Sequence, residues 1–511
     1  MLPLHLQPES HIPLYVQLRD QLRALVHSGE LRTGDRIPAS RELAGQLGVH
    51  RTTVANAYAE LESEGLIQGH VGRGTFICGM PAKQFSPPPR TNGHGPMRWE
   101  ALFADERGEE SLSRMMPEVP PGAIAFTVAR PSGEFFPVED FRRCANAVLG
   151  GEGRRILQLG STDGYEPLKS ELIDLFRGEG MNVRPEQLLI TDGCQQAIDL
   201  VCKAFLRPGD AVALENPGYP GAIAILAGAR IRILSVPVQA DAARTGHAGL
   251  DVDALETVLL QNRVKFLLIT PDFHNPTGTV LPVSERRRLL ELAGHYQVPV
   301  IEDAIYARLR FRGNAVPSLK ALDTLGNVIQ IDSFSKTAFP GLRVGWCIGA
   351  ESAIERLRLL KQSTDLHTDQ LSQAAMAEFM RRGYFTRHVE KMTKVYRSRL
   401  EAMEGALQKH MPDGTSWTHT EGGMSLWVTL PAGFDAGELL IHARERGVLF
   451  LPGRYFYSQH PQPNTLRLGF TAVDEKRIER GVHTFCELLK TELRKRERGG
   501  RSELPARVAL I

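Results

Sequence analysis

From about Ala123 onward the chain alternates short apolar runs with amphipathic helical stretches, and this alternation limits the possible folds more than any other feature. The runs LLIT, AVALE, IRILSV, KFLLIT, VPVIED, NVIQID and RVGWCIG have strand length, and segments of helical period separate them. Strands joined through helices do not pair as hairpins. The expected fold is therefore α/β, a mainly parallel sheet covered by helices on both faces. Beyond Leu371, long helices precede SLWVTL and TLRLGF, which reads as a smaller α+β domain closing over the sheet.

A chain of 511 residues is too long for one hydrophobic core. From Ile12 to Ile77 the period is helical and ends in a Gly-rich hairpin pattern, GLIQGHVGRGTFI. The stretch with PPP at Pro87 to Pro89 and NGHGP at Asn92 to Pro96 has little core-forming capacity and reads as a linker. The expected division is a small domain over 10–78, a linker over 79–122, a large α/β unit over 123–490 and a basic tail over 491–511. Within the α/β unit, the large domain takes about 155–370, and the small domain takes about 371–490 plus 123–150.

No apolar stretch approaches the roughly 20 residues that a membrane helix needs, and MLPLHLQPES lacks the pattern of an export signal, so a cytoplasmic location is expected. The six cysteines are scattered with no metal-ligand spacing and read as free thiols; no metal site is expected. A net charge of +2 does not advertise nucleic-acid binding, and up to Ile77 the arginines and acids are nearly balanced. A DNA argument must rest on motif geometry.

That geometry is present. Leu14, Leu18, Leu22, Leu25 and Val26 form one helical stripe, with Gly29 placed to end the helix. In PASRELAGQLGVHRTTVANAYAELESEGL, Ser40 is placed to cap a helix to Leu47, Gly48 makes a turn, and a second helix starts near His50 with Val54, Tyr58 and Leu61 facing inward. The hairpin that follows reads as a wing with Arg73 at its tip. Arg41, Arg51, Thr52, Thr53, Asn56 and Arg73 are the donors placed for bases and phosphates. Singly, each is an ordinary surface residue.

The second informative region is IDSFSKTAFPGLRVGW. It presents Lys336 at the carboxyl edge of a strand, where α/β sheets hold ligands and where a desolvated amine forms a Schiff base with an aldehyde. Arg343 is placed to fork onto a phosphate that Ser333 and Ser335 also reach. Asp303 ends the VPVIED strand, and a buried carboxylate there calls for a cation such as a protonated pyridine nitrogen. Tyr306 and Asn275 are placed to donate to a phenolic oxygen. The amides of Gly193, Cys194 and Gln195 open a helix and form an anion site. Tyr219 offers a ring for stacking, and Arg467 suits a substrate carboxylate, although a structural ion pair is its ordinary role.

Taken together, LYVQL, SGEL, GDRIP, SRELA, TTVANAY, LESEGL and GRGTF resemble the GntR-type winged helix-turn-helix. From about Ala123 to Leu489 the chain resembles a fold-type-I aminotransferase dependent on pyridoxal 5'-phosphate (PLP), and the combination resembles the MocR/GabR group of regulators. The resemblance implies Lys336, Asp303 and Tyr306 as catalytic residues and PLP as cofactor. It also implies a homodimer reading DNA with repeated half-sites, and a response to an amine, an amino acid or PLP itself. Three positions depart from the family pattern. His50 stands where the family has a Ser helix cap. Leu159 stands where a partner-contributed tyrosine is usual, and Ala129 stands at a glycine position near the substrate. A working aminotransferase that happens to carry a DNA reader is the alternative, since the catalytic parts are complete.

Overall fold

The structure, a computed structural model, describes residues 4, 6, 13–27, 30–31, 34–63, 66–70, 74–78, 119–241 and 247–498. The chain divides into two compact units, Met1–Ala104 and Asp105–Ile511.

In the first unit, helices Leu14–His27, Ser40–Leu47 and Arg51–Ser63 pack around Leu18, Leu22, Leu43, Val54, Ala57 and Leu61. A three-stranded antiparallel sheet, ordered Arg36–Ile37, Gly74–Ile77, Ile67–His70, adds Ile37, Ile67 and Ile77 to that core. Gly48 ends the second helix in the left-handed region at φ 64°, a conformation that costs a glycine little. The sequence expectation for Ser40 fails. Ala39 already holds the extended cap conformation and has no side chain to cap with, so Ser40 is the first helical residue. Arg73, Gly29, residues 79–118 of the expected linker and residues 499–511 of the expected tail lie outside the described residues.

The second unit is built on an eight-stranded sheet. Its order is Leu188–Thr191, Gly345–Ile348, Val328–Ser333, Val300–Asp303, Val264–Ile269, Ala211–Asn216, Arg232–Gln239, Gly249–Leu250. Neighbours run parallel except Gly345–Ile348, which is antiparallel to both its neighbours, and the short final strand. Burial on both faces explains the continuous apolar runs: one face packs the helices Cys194–Phe205, Pro220–Gly228 and Glu351–Thr364, and the other packs Val252–Gln261 and Val283–His295. A four-stranded antiparallel sheet, Ser416–Trp417, Ser425–Thr429, Thr465–Gly469 and Leu451–Pro452, forms the smaller domain with helices Tyr384–His410, Ala436–Glu445 and Glu475–Arg498. Ile124–Ala125 joins it by pairing parallel to Val448–Leu449.

Two expected boundaries move. Helix Gln370–Arg381 buries Ala374, Met376, Ala377 and Phe379 against helices Val138–Ile156 and Glu166–Gly178, so it belongs with the large domain, and so does 138–150. The small domain begins instead within helix Tyr384–His410, whose Phe385 still packs on the large side while Met392 to Leu407 face the small sheet. Residues 491–498 are not tail. They continue helix Glu475–Arg498, where Arg496 lies 4.0 Å over the Phe434 ring and donates to the Gly433 carbonyl at 2.6 Å. Among the described residues no helix is long and apolar enough to cross a membrane, and no cluster of side chains suits a metal ion.

Candidate cofactor site and DNA-reading face

The carboxyl ends of the parallel strands converge on one cavity of about 300 Å³. Its floor comes from the large domain, with Cys194, Tyr219, Asn275, Asp303, Tyr306 and Lys336. Its opposite wall comes from Ala129, Arg130, Leu451, Phe456 and Arg467. Strand direction accounts for this gathering. Thr191, Asp303 and Ser333 each end a strand at the same edge. The antiparallel Gly345–Ile348 begins there, so register sets Thr191, Gly345 and Ser333 side by side and brings Arg343 to the loop at Asp192.

Lys336 leaves a turn anchored by the fully buried Phe334, and its Nζ donates to the Ala129 carbonyl at 2.8 Å. Burial, with Arg467 adding to it, lowers the Lys336 pKa to about 8, so a useful fraction is unprotonated near neutrality. Asp303 is 7% exposed and accepts only the Ile305 amide, at 3.2 Å; it has no ion-pair partner among the described residues. Burial pushes its carboxyl up to about 7. Burial also raises Tyr306, and it raises Tyr219 to about 12, so both stay protonated donors. The Tyr219 hydroxyl donates to Gln195 Oε1 at 3.1 Å.

Arg467 is buried and has no carboxylate partner among the described residues. Its Nη1 donates to Asn275 Oδ1 at 2.8 Å and its Nη2 to the Thr127 carbonyl at 2.8 Å, while Nε is unsatisfied. Burial lowers its pKa to about 10, still high enough to keep the charge. With Asn275 Oδ1 occupied by Arg467, the amide nitrogen of Asn275 is the group left to donate.

The loop at Gly193 is shaped for an anion. Gly193, at φ 82°, precedes helix Cys194–Phe205, whose first amides have no acceptor within the helix. Arg343 Nη2 donates to the Asp192 carbonyl at 3.0 Å and Nη1 to Ser335 Oγ at 3.3 Å. Ser333 differs from its expected role in one respect: it is fully buried and its Oγ accepts the Ser335 amide at 3.2 Å, so it braces the loop from beneath.

In the first unit, Arg51, Thr52 and Asn56 lie exposed on one face of helix Arg51–Ser63, with Arg41 exposed on the preceding helix and Thr53 half-buried. Arg41 and Arg51 make no ion pair among the described residues, while Glu60 at the far end of the helix is neutralised by Arg19 at 2.6 Å. His50 precedes the helix. Its Nδ1 meets Thr52 Oγ1 at 2.8 Å and accepts the Thr52 amide at 3.4 Å, a long cap bond.

Residues 14–77 match the family described as bacterial regulatory proteins, gntR family, and residues 130–485 match aminotransferase class I and II. The HTH-type transcriptional regulator TauR of Rhodobacter capsulatus is 31% identical, over 95% of this chain and 98% of its own. The probable rhizopine catabolism regulatory protein MocR of Rhizobium meliloti is 28% identical, over 94% of this chain and 95% of its own. Among solved structures, LysN, an alpha-aminoadipate aminotransferase from Thermus thermophilus complexed with N-(5'-phosphopyridoxyl)-L-leucine, superposes with a TM-score of 0.72 at 36% identity. The match covers 78% of this chain and all of LysN.

The chain belongs to the MocR-type GntR regulators. It is a DNA-binding transcription regulator whose larger unit is a PLP-dependent class I and II aminotransferase domain.

The residues present fit that cofactor. Asp303 is a buried acid without an ion-pair partner among the described residues, Lys336 is an amine held partly neutral in the same cavity, and a helix start with Arg343 beside it forms a phosphate-sized cradle. A Cβ on Gly193 would fall 2.9 Å from Arg343 Nη2 and close that cradle. Two features of this regulator's cavity were not foreseen. Arg130 lines it, a residue visible in the sequence only as the middle of ARP, with no local pattern to mark it. Leu451 and Phe456 supply its apolar wall from the small domain. Leu159, 78% exposed, lies outside the cavity lining of this chain.

Proposed function

We propose that the chain is a ligand-responsive transcription regulator in which an amine or amino acid, engaged at Lys336, changes how the winged helix-turn-helix reads DNA. The observation that carries this reading is the joining, in one chain, of an exposed donor-bearing helix to a cavity that holds Lys336 and Asp303. A metabolic enzyme gains nothing from a sequence reader, whereas a sensor needs both parts.

When bound, PLP supplies an aldehyde carbon for amines and a ring that withdraws electrons. The roles proposed for this chain's residues follow from their chemistry. Lys336 Nζ is the attachment point and the base that moves a proton. Asp303 holds the proton on the ring nitrogen. Tyr306 and Asn275 donate to the phenolic oxygen. The amides of Gly193, Cys194 and Gln195, with Ser335 and Arg343, hold the phosphate, and Tyr219 covers the ring. Arg467 takes the ligand's α-carboxylate, which its unsatisfied Nε and its lack of an ion pair among the described residues support. A ligand that takes the place of Lys336 at the cofactor frees its Nζ, the group placed to bond the Ala129 carbonyl and so to tie the small-domain wall to the sheet edge. It thereby biases a two-state equilibrium by its differential affinity. Assembly as a homodimer on repeated half-sites, in the cytoplasm, completes the proposal.

Lys336→Ala is expected to abolish the visible absorption band of the PLP-loaded protein and the ligand's effect on DNA footprints, while Arg51→Ala weakens DNA binding and leaves the band in place. A band that survives Lys336→Ala would remove the residue from its role. Steady multiple turnover with an amino donor and a keto acceptor, without any ligand effect on DNA, would establish the aminotransferase reading instead.

A further inference from the structure

One charged group on the cavity wall has no part in the roles above. Arg130 follows Ala129 in a segment pinned at three carbonyls: Thr127 accepts from Arg467, Ala129 from Lys336, and Arg130 from Thr471 Oγ1, each at 2.8 Å. The backbone is thus held from both domains. Arg130 is an exposed residue that borders the same cavity as Lys336 and Arg467, and its side chain has no ion pair and no hydrogen bond among the described residues. Burial chiefly lowers the Lys336 pKa, with Arg467 and, as the smallest contribution, Arg130 pushing the same way against Cys194 and Asp303.

Charge balance gives this position its meaning. In the reading above, Asp303 answers the ring nitrogen, Arg343 answers the phosphate and Arg467 answers the ligand's α-carboxylate. A monocarboxylic amino acid then leaves the exposed Arg130 guanidinium without a carboxylate, and the nearby wall of Ile305, Leu451 and Phe456 offers it no acid. That wall suits a methylene stem, and a guanidinium at its rim suits a carboxylate, onto which it forks two donors.

We infer that Arg130 is a specificity-determining residue that pairs with a second acidic group, so that the effector is an amino acid bearing a side-chain carboxylate. The inference rests on the proposed reading of the cavity as an amino-acid site.

The test uses the full-length, PLP-loaded protein, titrated through its visible absorption band with isosteric pairs: L-glutamate against L-glutamine, and L-aspartate against L-asparagine. In at least one pair the acid is expected to reach its midpoint at a concentration about tenfold or more below that of the amide, the worth of one charge-assisted hydrogen-bonded contact. In Arg130→Leu that ratio falls to near one, and in Arg130→Lys part of it remains. Equal midpoints in the unaltered protein, or a ratio that survives Arg130→Leu, would overturn the inference and leave the amino-acid site standing. A band that none of the four compounds moves would remove the amino-acid site itself, and the inference with it.

Discussion

Asp303 is a buried carboxyl that accepts one backbone amide and has no ion-pair partner among the described residues, and burial pushes its pKa up to about 7. A carboxyl whose folded pKa lies above its unfolded value contributes stability below the unfolded value and loses it as pH rises through the folded one. Protein stripped of PLP should therefore lose the Asp303 contribution between about pH 4 and pH 7. Asp303→Asn is expected to remove this slope and to stabilise the stripped protein at pH 8 by about 1–3 kcal/mol, read as a higher Tm. The same variant should bind PLP more weakly, because an amide cannot balance a charged ring nitrogen. A stripped variant with the pH dependence of the unaltered chain would show that Asp303 is not the group responsible.

At the scale of elements, the cofactor edge depends on how closely three strands approach. A Cβ on Gly345 would lie 2.6 Å from Gly193 Cα and 2.7 Å from the Asp332 carbonyl, both backbone, so neither can give way without moving the phosphate loop. Gly345→Ala should therefore weaken PLP binding by about 1–3 kcal/mol, the usual cost of overpacking, measured by absorbance titration. Gly341→Ala, in open space four residues earlier, is the control and should bind as the unaltered chain does. Equal affinities for both variants would argue against a loop held by contact at Gly345. Elements also explain the misplaced domain boundary. Helix Gln370–Arg381 has an apolar stripe that would suit either domain, and only the faces of Val138–Ile156 and Glu166–Gly178 decide which one it covers.

For the molecule as a whole, the expectation is two chains working together. Leu157 and Leu159 are 73% and 78% exposed in the single chain, on the segment where the resemblance places a partner's contribution to the cofactor site. Sedimentation equilibrium should find a species of two chains at micromolar concentration, and Leu159→Asp should shift it toward one chain. A monomer under conditions where DNA binding is retained would contradict a dimer on repeated half-sites.

Much of this architecture was legible in the sequence because strand and helix periods, turn residues and residue types at strand ends are local properties. The α/β class, the helical reader, the presence of Lys336, Asp303, Asn275 and Arg343 near strand ends and that of Arg467 on a strand of the small domain could all be read that way. Periodicity states which face of an element is apolar, but it does not state what that face meets or which way a strand runs. Tertiary structure alone decided that Gly345–Ile348 runs antiparallel, that Ser333 lies beneath the phosphate loop and that Ser40 falls inside its helix. It also decided that Arg467 reaches Asn275, 192 residues away, and that Arg130 borders the cavity. The perturbed pKa values belong to the same class, because burial, which no residue carries in its own identity, sets how much a charge costs.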